Sequence, residues 1–179
     1  EDFKFDNEAR KKLRDKLNIA DNDKLFGFAG VLQDRKNPIF AVNVFATYVK
    51  KNPKSYLLII GKGPLKAKIE EVSKELKIDD KIKFITYTNE LNKWYSALDI
   101  LIFPSLYEGF GLVPLEAQVS NLLVLASDKV APQVFVTKNI NKISNFDKDT
   151  WDKVLENLKF KTVQQREGID YSLEKFDVK

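Results

Sequence analysis

The chain has 179 residues, of which 44% are apolar and 31% charged, a balance that fits one globular domain burying roughly 70% of its unfolded surface. Thirty basic against 26 acidic residues leave a net charge of +4, which suits a lysine-rich surface and tolerates an anionic ligand without demanding one. Cysteine and histidine are both absent, which excludes disulfides, thiolate metal sites and histidine chemistry.

In chain order, Asp6 to Asn18 places Ala9, Leu13 and Leu17 at helical spacing. Its Arg10, Lys11, Lys12, Arg14 and Lys16 alternate with Glu8 and Asp15 and lack interleaved aromatics, so this reads as a solvated helix face and not as a nucleic-acid surface. Lys24 to Val31 is predicted as the first strand. A helix follows from Asn37, taken as its cap, to Lys51, with Pro38 at its first position. Ser55 to Ile60 is a buried strand, and Gly61, Gly63 and Pro64 turn it into a helix that ends near Lys77. A strand over Lys81 to Thr86, a short helix over Asn89 to Ala97 and a strand over Leu98 to Phe103 come next. A helix after Gly111, an apolar run over Leu122 to Ala126, a loop with Pro132, a short strand near Ile143 and a helix over Asp147 to Leu158 complete the order.

Continuous apolar strands alternating with helices predict a parallel sheet covered on both faces, a doubly wound, Rossmann-like α/β domain spanning 1–179. Ligands in such a fold sit at the carboxyl ends of the strands. The loops after Gly30, Ile60 and Phe103 all lie there.

Residues 104–118 carry the most chemistry. Pro104 stops the strand, Gly109 and Gly111 flank Phe110, and Pro114 enters the first turn of a helix, where its missing N–H costs nothing. A helix N-terminus offers amides and a positive dipole end to a phosphate. Glu108 and Glu116 beside such a seat make sense when the ligand also carries hydroxyls, as a nucleotide sugar does.

The two glutamates, seven residues apart in EGFGLVPLE, resemble the E-x7-E signature of the family 4 retaining glycosyltransferases of GT-B fold. Asp99 to Ser105, Leu57 to Leu65 and Gly30 to Asn37 resemble the family's strand before that signature, its second strand and turn, and its first phosphate loop. The likeness runs over roughly residues 3 to 178. It implies the C-terminal, donor-binding half of a two-domain enzyme, whose acceptor-binding domain lies outside these residues. The start of the chain is expected at the end of the family's interdomain linker. Its end, at Phe176, Asp177 and Val178, is expected where a final helix crosses back, and the lack of methionine fits a piece of a longer protein.

By that resemblance Lys36 neutralises the donor diphosphate and Glu108 contacts donor-sugar hydroxyls; these two are the catalytic candidates. Glu116, placed in the first turn of its helix, binds ribose. The amides of Gly109, Phe110 and Gly111, with Leu112 beside them, meet phosphate or sugar oxygens. Gly30 belongs to the first phosphate loop. Gly61 borders the nucleotide but reads first as a turn residue, and Tyr87 and Thr88 fall in the base-binding region. The family's second cation, an arginine, is replaced by Val31, so either Arg35 substitutes for it or the clamp is weaker. Asn121 stands where the family usually has glycine.

The resemblance implies a metal-independent enzyme taking a UDP-, GDP- or ADP-sugar. The D-x-D patterns at Asp21 and Asp23 and at Asp147 and Asp149 read as turn and cap residues. The expected acceptor is a saccharide or lipid-linked acceptor of bacterial surface polysaccharide synthesis, engaged through the other domain, with no nucleic-acid partner. The resemblance also implies a cytoplasmic location, at the inner face of the membrane as a peripheral contact; no run of about 18 apolar residues predicts a spanning helix, and no secretory signal opens the chain. Two rivals remain: a degenerate partner subunit, and a glycoside hydrolase using the glutamates as an acid and base pair.

Overall fold

A computed structural model describes residues 3–168, so the expectation for Phe176 to Val178 lies outside the described residues. Six strands, β1 (Lys24–Ala29), β2 (Ser55–Ile60), β3 (Ile82–Ile85), β4 (Ile100–Phe103), β5 (Leu123–Ser127) and β6 (Ile140–Ile143), form one sheet. Their order is β3-β2-β1-β4-β5-β6, and every neighbouring pair is parallel. The expected doubly wound α/β domain is therefore present. The order reverses between β1 and β4, which places the topological switch point, and the crevice that binds ligands in such sheets, at the loops following these two strands.

Among the described residues, seven helices cover the faces: α1 (Asn7–Lys16), α2 (Pro38–Lys51), α3 (Lys66–Glu75), α4 (Leu91–Ala97), α5 (Leu112–Val119), α6 (Lys148–Asn157) and α7 (Val163–Glu167). Alternation along β1 divides the core. Phe26 and Phe28 pack with Phe45, Ile69 and Trp151 beneath α2, α3 and α6, while Leu25 and Ala29 join Leu13, Trp94, Tyr95 and Ala117 beneath α1, α4 and α5. Both clusters give the sheet an apolar cover, the condition under which a parallel sheet is stable. Gly27 has a packing reason, because a Cβ there would meet Leu98 Cδ1 at 2.2 Å.

Most expected elements appear within two residues of their expected bounds. The first strand stops at Ala29, two residues early, because Gly30 turns the backbone to φ 148°. Asn37 occupies the cap position of α2 but its side chain caps nothing; it supplies a left-handed turn at φ 54° ahead of Pro38. Asp147 caps α6 as expected, accepting from Thr150 N at 3.0 Å. Helix α7 was not anticipated.

The reading of α1 as a solvated face needs correction. Lys11, Lys12 and Lys16 are exposed, but Arg10 and Arg14 are only 5% and 1% exposed. Arg10 Nη2 reaches Asp99 Oδ1 at 2.7 Å and Arg14 Nη1 reaches Oδ2 at 3.2 Å, while Leu25 N donates to Oδ2 at 2.7 Å. Two guanidiniums one helical turn apart point inward because a buried carboxylate at the start of β4 gives them a partner.

Candidate nucleotide-sugar site

The β1 and β4 loops meet at the switch point. Leu106 N donates to Arg35 O at 2.8 Å, tying the two loops together. A short 3-10 turn, Asp34–Lys36, brings Lys36 over the ring of Phe103, 5.0 Å from its centroid, and into an ion pair with Glu108. Both side chains of that pair are almost wholly enclosed, at 12% and 11% exposure. Arg35 Nη1 donates to Tyr107 O at 3.2 Å and lies 3.5 Å from Glu108 Oε1. Arg35 thus joins the cluster from a position next to Lys36, while Val31, where the family's arginine was expected, is half exposed and apolar.

The glycines separate into two groups. Gly30 and Gly61 adopt φ 148° and 147°, where side chains are rarely tolerated. A Cβ on Gly61 would lie 1.9 Å from Gly30 O, and one on Gly63 would lie 2.4 Å from Leu32 O, so the β1 and β2 loops are laid against each other through glycine. Gly30 N and Leu32 N donate to Ile60 O and Lys62 O, both at 3.0 Å, and complete that seam. Gly109 has nothing within 4 Å of a would-be Cβ and needs no special φ, so neither packing nor turn geometry calls for glycine there. Gly111 begins α5 without a capping side chain, beside the exposed Phe110 and Leu112. Pro114 is the third residue of α5, inside its first turn as expected.

Glu116 is the fifth residue of α5, not in its first turn. The helix dipole does not favour an acid so far from the terminus, so nothing electrostatic in α5 itself calls for a carboxylate there. Its partner is Tyr95 of α4, whose hydroxyl donates to Glu116 Oε2 at 2.9 Å. Tyr95 is wholly buried, and burial, followed by the charge of Glu116, drives its phenol far above the ordinary tyrosine value. Sequence reasoning missed Tyr95, although a tyrosine among core positions always needs a polar partner.

Tyr87 and Thr88 share the carboxyl edge of the sheet, on the loop after β3, but no hydrogen bond joins them to Lys36 and Glu108. Thr88 Oγ1 accepts from Glu90 N at 3.0 Å ahead of α4, and Tyr87 is 79% exposed. Among the described residues, the exposed large apolar side chains are Val31, Tyr87, Leu106, Tyr107, Phe110 and Leu112, all rimming this edge. A groove of about 400 Å³ lies elsewhere, among Arg10, Lys24, Asp99 and Phe160 at the amino ends of β1 and β4. Among the described residues, no three His, Cys, Asp or Glu side chains gather as a metal-ligand set, and no helix is long and apolar enough to cross a membrane.

Asn121, expected as glycine, has a positive φ of 54°, which asparagine tolerates better than most residues. Its amide nitrogen donates to Gln165 O at 2.9 Å, Arg166 O at 3.2 Å and Gly168 O at 3.0 Å, and its oxygen accepts from Asn139 and Lys161. The departure therefore serves the packing of α7.

Comparison with known proteins agrees with this geometry. Residues 9–160 match the family described as glycosyl transferases group 1. The O-antigen chain mannosyltransferase RfbU of Salmonella typhimurium is 32% identical over 108 residues, covering 58% of this chain and 31% of that protein. The crystal structure of the C-terminal domain of a group 1 glycosyl transferase, LpcC of Francisella tularensis, superposes with TM-score 0.82 at 25% identity, covering 99% of this chain and 97% of that one. HepE of Anabaena, solved in complex with UDP-glucose, shares the fold at 17% identity and TM-score 0.76 over 87% of this chain and 44% of its own. The chain spans less than half the length of the curated relatives it matches. The chain belongs to the group 1 glycosyltransferases and has the form of the C-terminal domain of their GT-B fold.

Proposed function

We propose that this domain binds the nucleotide-sugar donor of a retaining hexosyltransferase, and that the whole enzyme extends a saccharide or lipid-linked acceptor in bacterial surface polysaccharide synthesis. The observation that carries the reading is the Lys36–Glu108 pair at the switch point, with Arg35 on the same carboxylate and the uncapped start of α5 a few residues on. Lys36, Arg35 and the amides near Gly109 to Leu112 supply positive charge to a diphosphate. As the glycosidic bond breaks, charge grows on the departing diphosphate, and these fixed groups stabilise it without a metal ion. Glu108 takes donor-sugar hydroxyls and Glu116 takes ribose hydroxyls, while Gly30, Gly61, Tyr87 and Thr88 border the nucleotide.

The partner face is read from the apolar rim. Exposed side chains such as Tyr107, Phe110 and Leu112 around a charged cleft suit a surface facing another domain. An acceptor-binding domain elsewhere in the protein closes the site, so this domain alone holds donor without turning it over. The names of relatives in O-antigen and exopolysaccharide assembly support the pathway, and work at the inner face of the membrane follows from it. A solved relative that bears UDP-glucose supports the donor class.

Calorimetry of the chain with UDP, GDP and ADP tests the reading. Saturable binding of at least one, lost in Lys36→Ala, is expected, and a folded sample that binds none of the three overturns it. In the full-length protein, Glu116→Ala separates the enzyme from a non-catalytic partner subunit: sugar transfer collapses in the first case and is unchanged in the second.

A further inference from the structure

Tyr95 carries the inference furthest. It is fixed at both ends. Its carbonyl accepts from Arg166 Nη2 at 2.9 Å, and its hydroxyl donates to Glu116 Oε2 at 2.9 Å. The carbonyls after it are gripped as well: Ser96 O and Leu98 O by Arg10 and Arg166, and Ala97 O by Arg10 at 3.0 Å and Arg14 at 2.9 Å. Three buried guanidiniums thus close the carboxyl end of α4, where unpaired carbonyls and the negative end of the helix dipole both favour cations. The phenol that emerges from this turn has little freedom, whereas Glu116 is only half buried and has three side-chain torsions of its own.

We propose that Tyr95 is a positioning residue, one that holds Glu116 in the orientation that recognises the vicinal ribose hydroxyls of the donor nucleotide. This rests on the reading of Glu116 as the ribose ligand. With one lone pair of Oε2 committed to Tyr95, Oε1 and the remaining lone pair of Oε2 face the ligand and accept one hydroxyl each. The entropy of ordering a glutamate is then spent on folding and not on binding, and restoring that cost to the binding step weakens ribonucleotide affinity about tenfold. The base and diphosphate contacts are left as they were.

The test is calorimetry of the chain with UDP and with its 2′,3′-dideoxy counterpart (or the same pair built on whichever base binds), for wild type, Tyr95→Phe, Glu116→Gln and the double variant. Thermal unfolding of each variant accompanies it. Wild type is expected to prefer the ribonucleotide. Tyr95→Phe is expected to lose about tenfold for the ribonucleotide and little for the dideoxynucleotide, and the double variant to bind no more weakly than Glu116→Gln alone. That pattern is one a purely structural role does not produce, because loosening of the fold weakens both ligands together. Ribose preference retained in Tyr95→Phe, or an equal loss for every ligand, overturns the role of Tyr95 while leaving that of Glu116 intact. Absence of ribose preference in the wild type, or its survival in Glu116→Gln, overturns the ribose reading of Glu116 and the Tyr95 proposal with it.

Discussion

Asp99→Asn tests whether the arginine cluster holds the domain together. The substitution keeps the shape and leaves an acceptor for Leu25 N, but removes the charge that faces Arg10 at 2.7 Å and Arg14 at 3.2 Å. Both guanidiniums are nearly inaccessible, and Arg166 lies close enough that burial, with Arg10 adding to it, pushes its guanidinium down to about 9. The cluster therefore already holds more positive than negative charge. Asp99 is only 7% exposed, although the groove at the amino ends of β1 and β4 is lined in part by it and Arg10, so the loss is that of breaking a largely buried ion pair, about 3–5 kcal/mol. For a chain of this size each kcal/mol moves Tm by about 2–4 °C, so a drop of about 6–20 °C is expected in thermal unfolding at neutral pH. Because the same arginines fix the carboxyl end of α4, nucleotide affinity should fall in whatever fraction remains folded. A Tm within about 2 °C of wild type, less than 1 kcal/mol on this scale, would refute the reasoning. It would mean that the backbone carbonyls alone satisfy the guanidiniums.

Gly61→Ala should destabilise by more than about 3 kcal/mol, because its Cβ falls 1.9 Å from Gly30 O at a φ of 147°, whereas Gly109→Ala should stay within about 0.5 kcal/mol of wild type and still weaken UDP binding severalfold. Urea unfolding and calorimetry on both variants check this, and a Gly109→Ala protein that binds UDP normally would remove the close-approach role of Gly109. Asn121→Gly keeps the left-handed backbone but loses the contacts to α7, and should cost about 1–3 kcal/mol in urea unfolding; no loss would show those contacts to be idle. Glu108→Gln should keep or raise UDP affinity, since Lys36 and Arg35 lose a competing anion, while a UDP-sugar should no longer bind better than UDP; a parallel loss of UDP affinity counts against the assigned role. Thr150, through its hydroxyl and then its amide, holds the Asp147 carboxyl below its usual value, so the stability it adds is present above about pH 4 and is lost as pH falls through the depressed value. The Tm gap between wild type and Asp147→Ala should accordingly be constant near neutrality and narrow in acid, and a gap that persists at low pH would be evidence against the cap.

The central strands were legible because β2, β4 and β5 are almost unbroken apolar runs, and the site loops were legible because proline and glycine punctuate them. What escaped the sequence is side-chain direction. Arg10 and Arg14 carry charges that read as solvent-facing, and only the distant Asp99, brought alongside by the pairing of β1 with β4, turns them inward. Tyr95 reads as core because its hydroxyl partner lies twenty-one residues away on another helix. Glu116 was misplaced by a turn because a loop's end cannot be located from composition when glycine, aromatic and proline follow one another so closely. Helix α7, at five residues, is too short for periodicity to register, and the Thr162 and Gln165 capping box that starts it carries little weight when read alone.

The two glutamates now differ in kind. A lysine as enclosed as Lys36 needs a counter-charge whenever no ligand is bound, and Glu108 provides it across the two loops. Lys36 and Arg35 against Glu108 leave a local charge of about +1, enough to attract a diphosphate without leaving a buried cation unpaired. When a diphosphate arrives, Lys36 gains a second anionic partner, and Glu108 is freed in part to accept sugar hydroxyls, whose donor hydrogens replace the lost interaction. Among the described residues no cation pairs with Glu116; its restraint is a neutral phenol that cannot ionise near neutrality and so holds the carboxylate without cancelling its charge. Glu108 is thus set to respond to the ligand and Glu116 to be in place before it, which fits a sugar that must change during reaction and a ribose that need not.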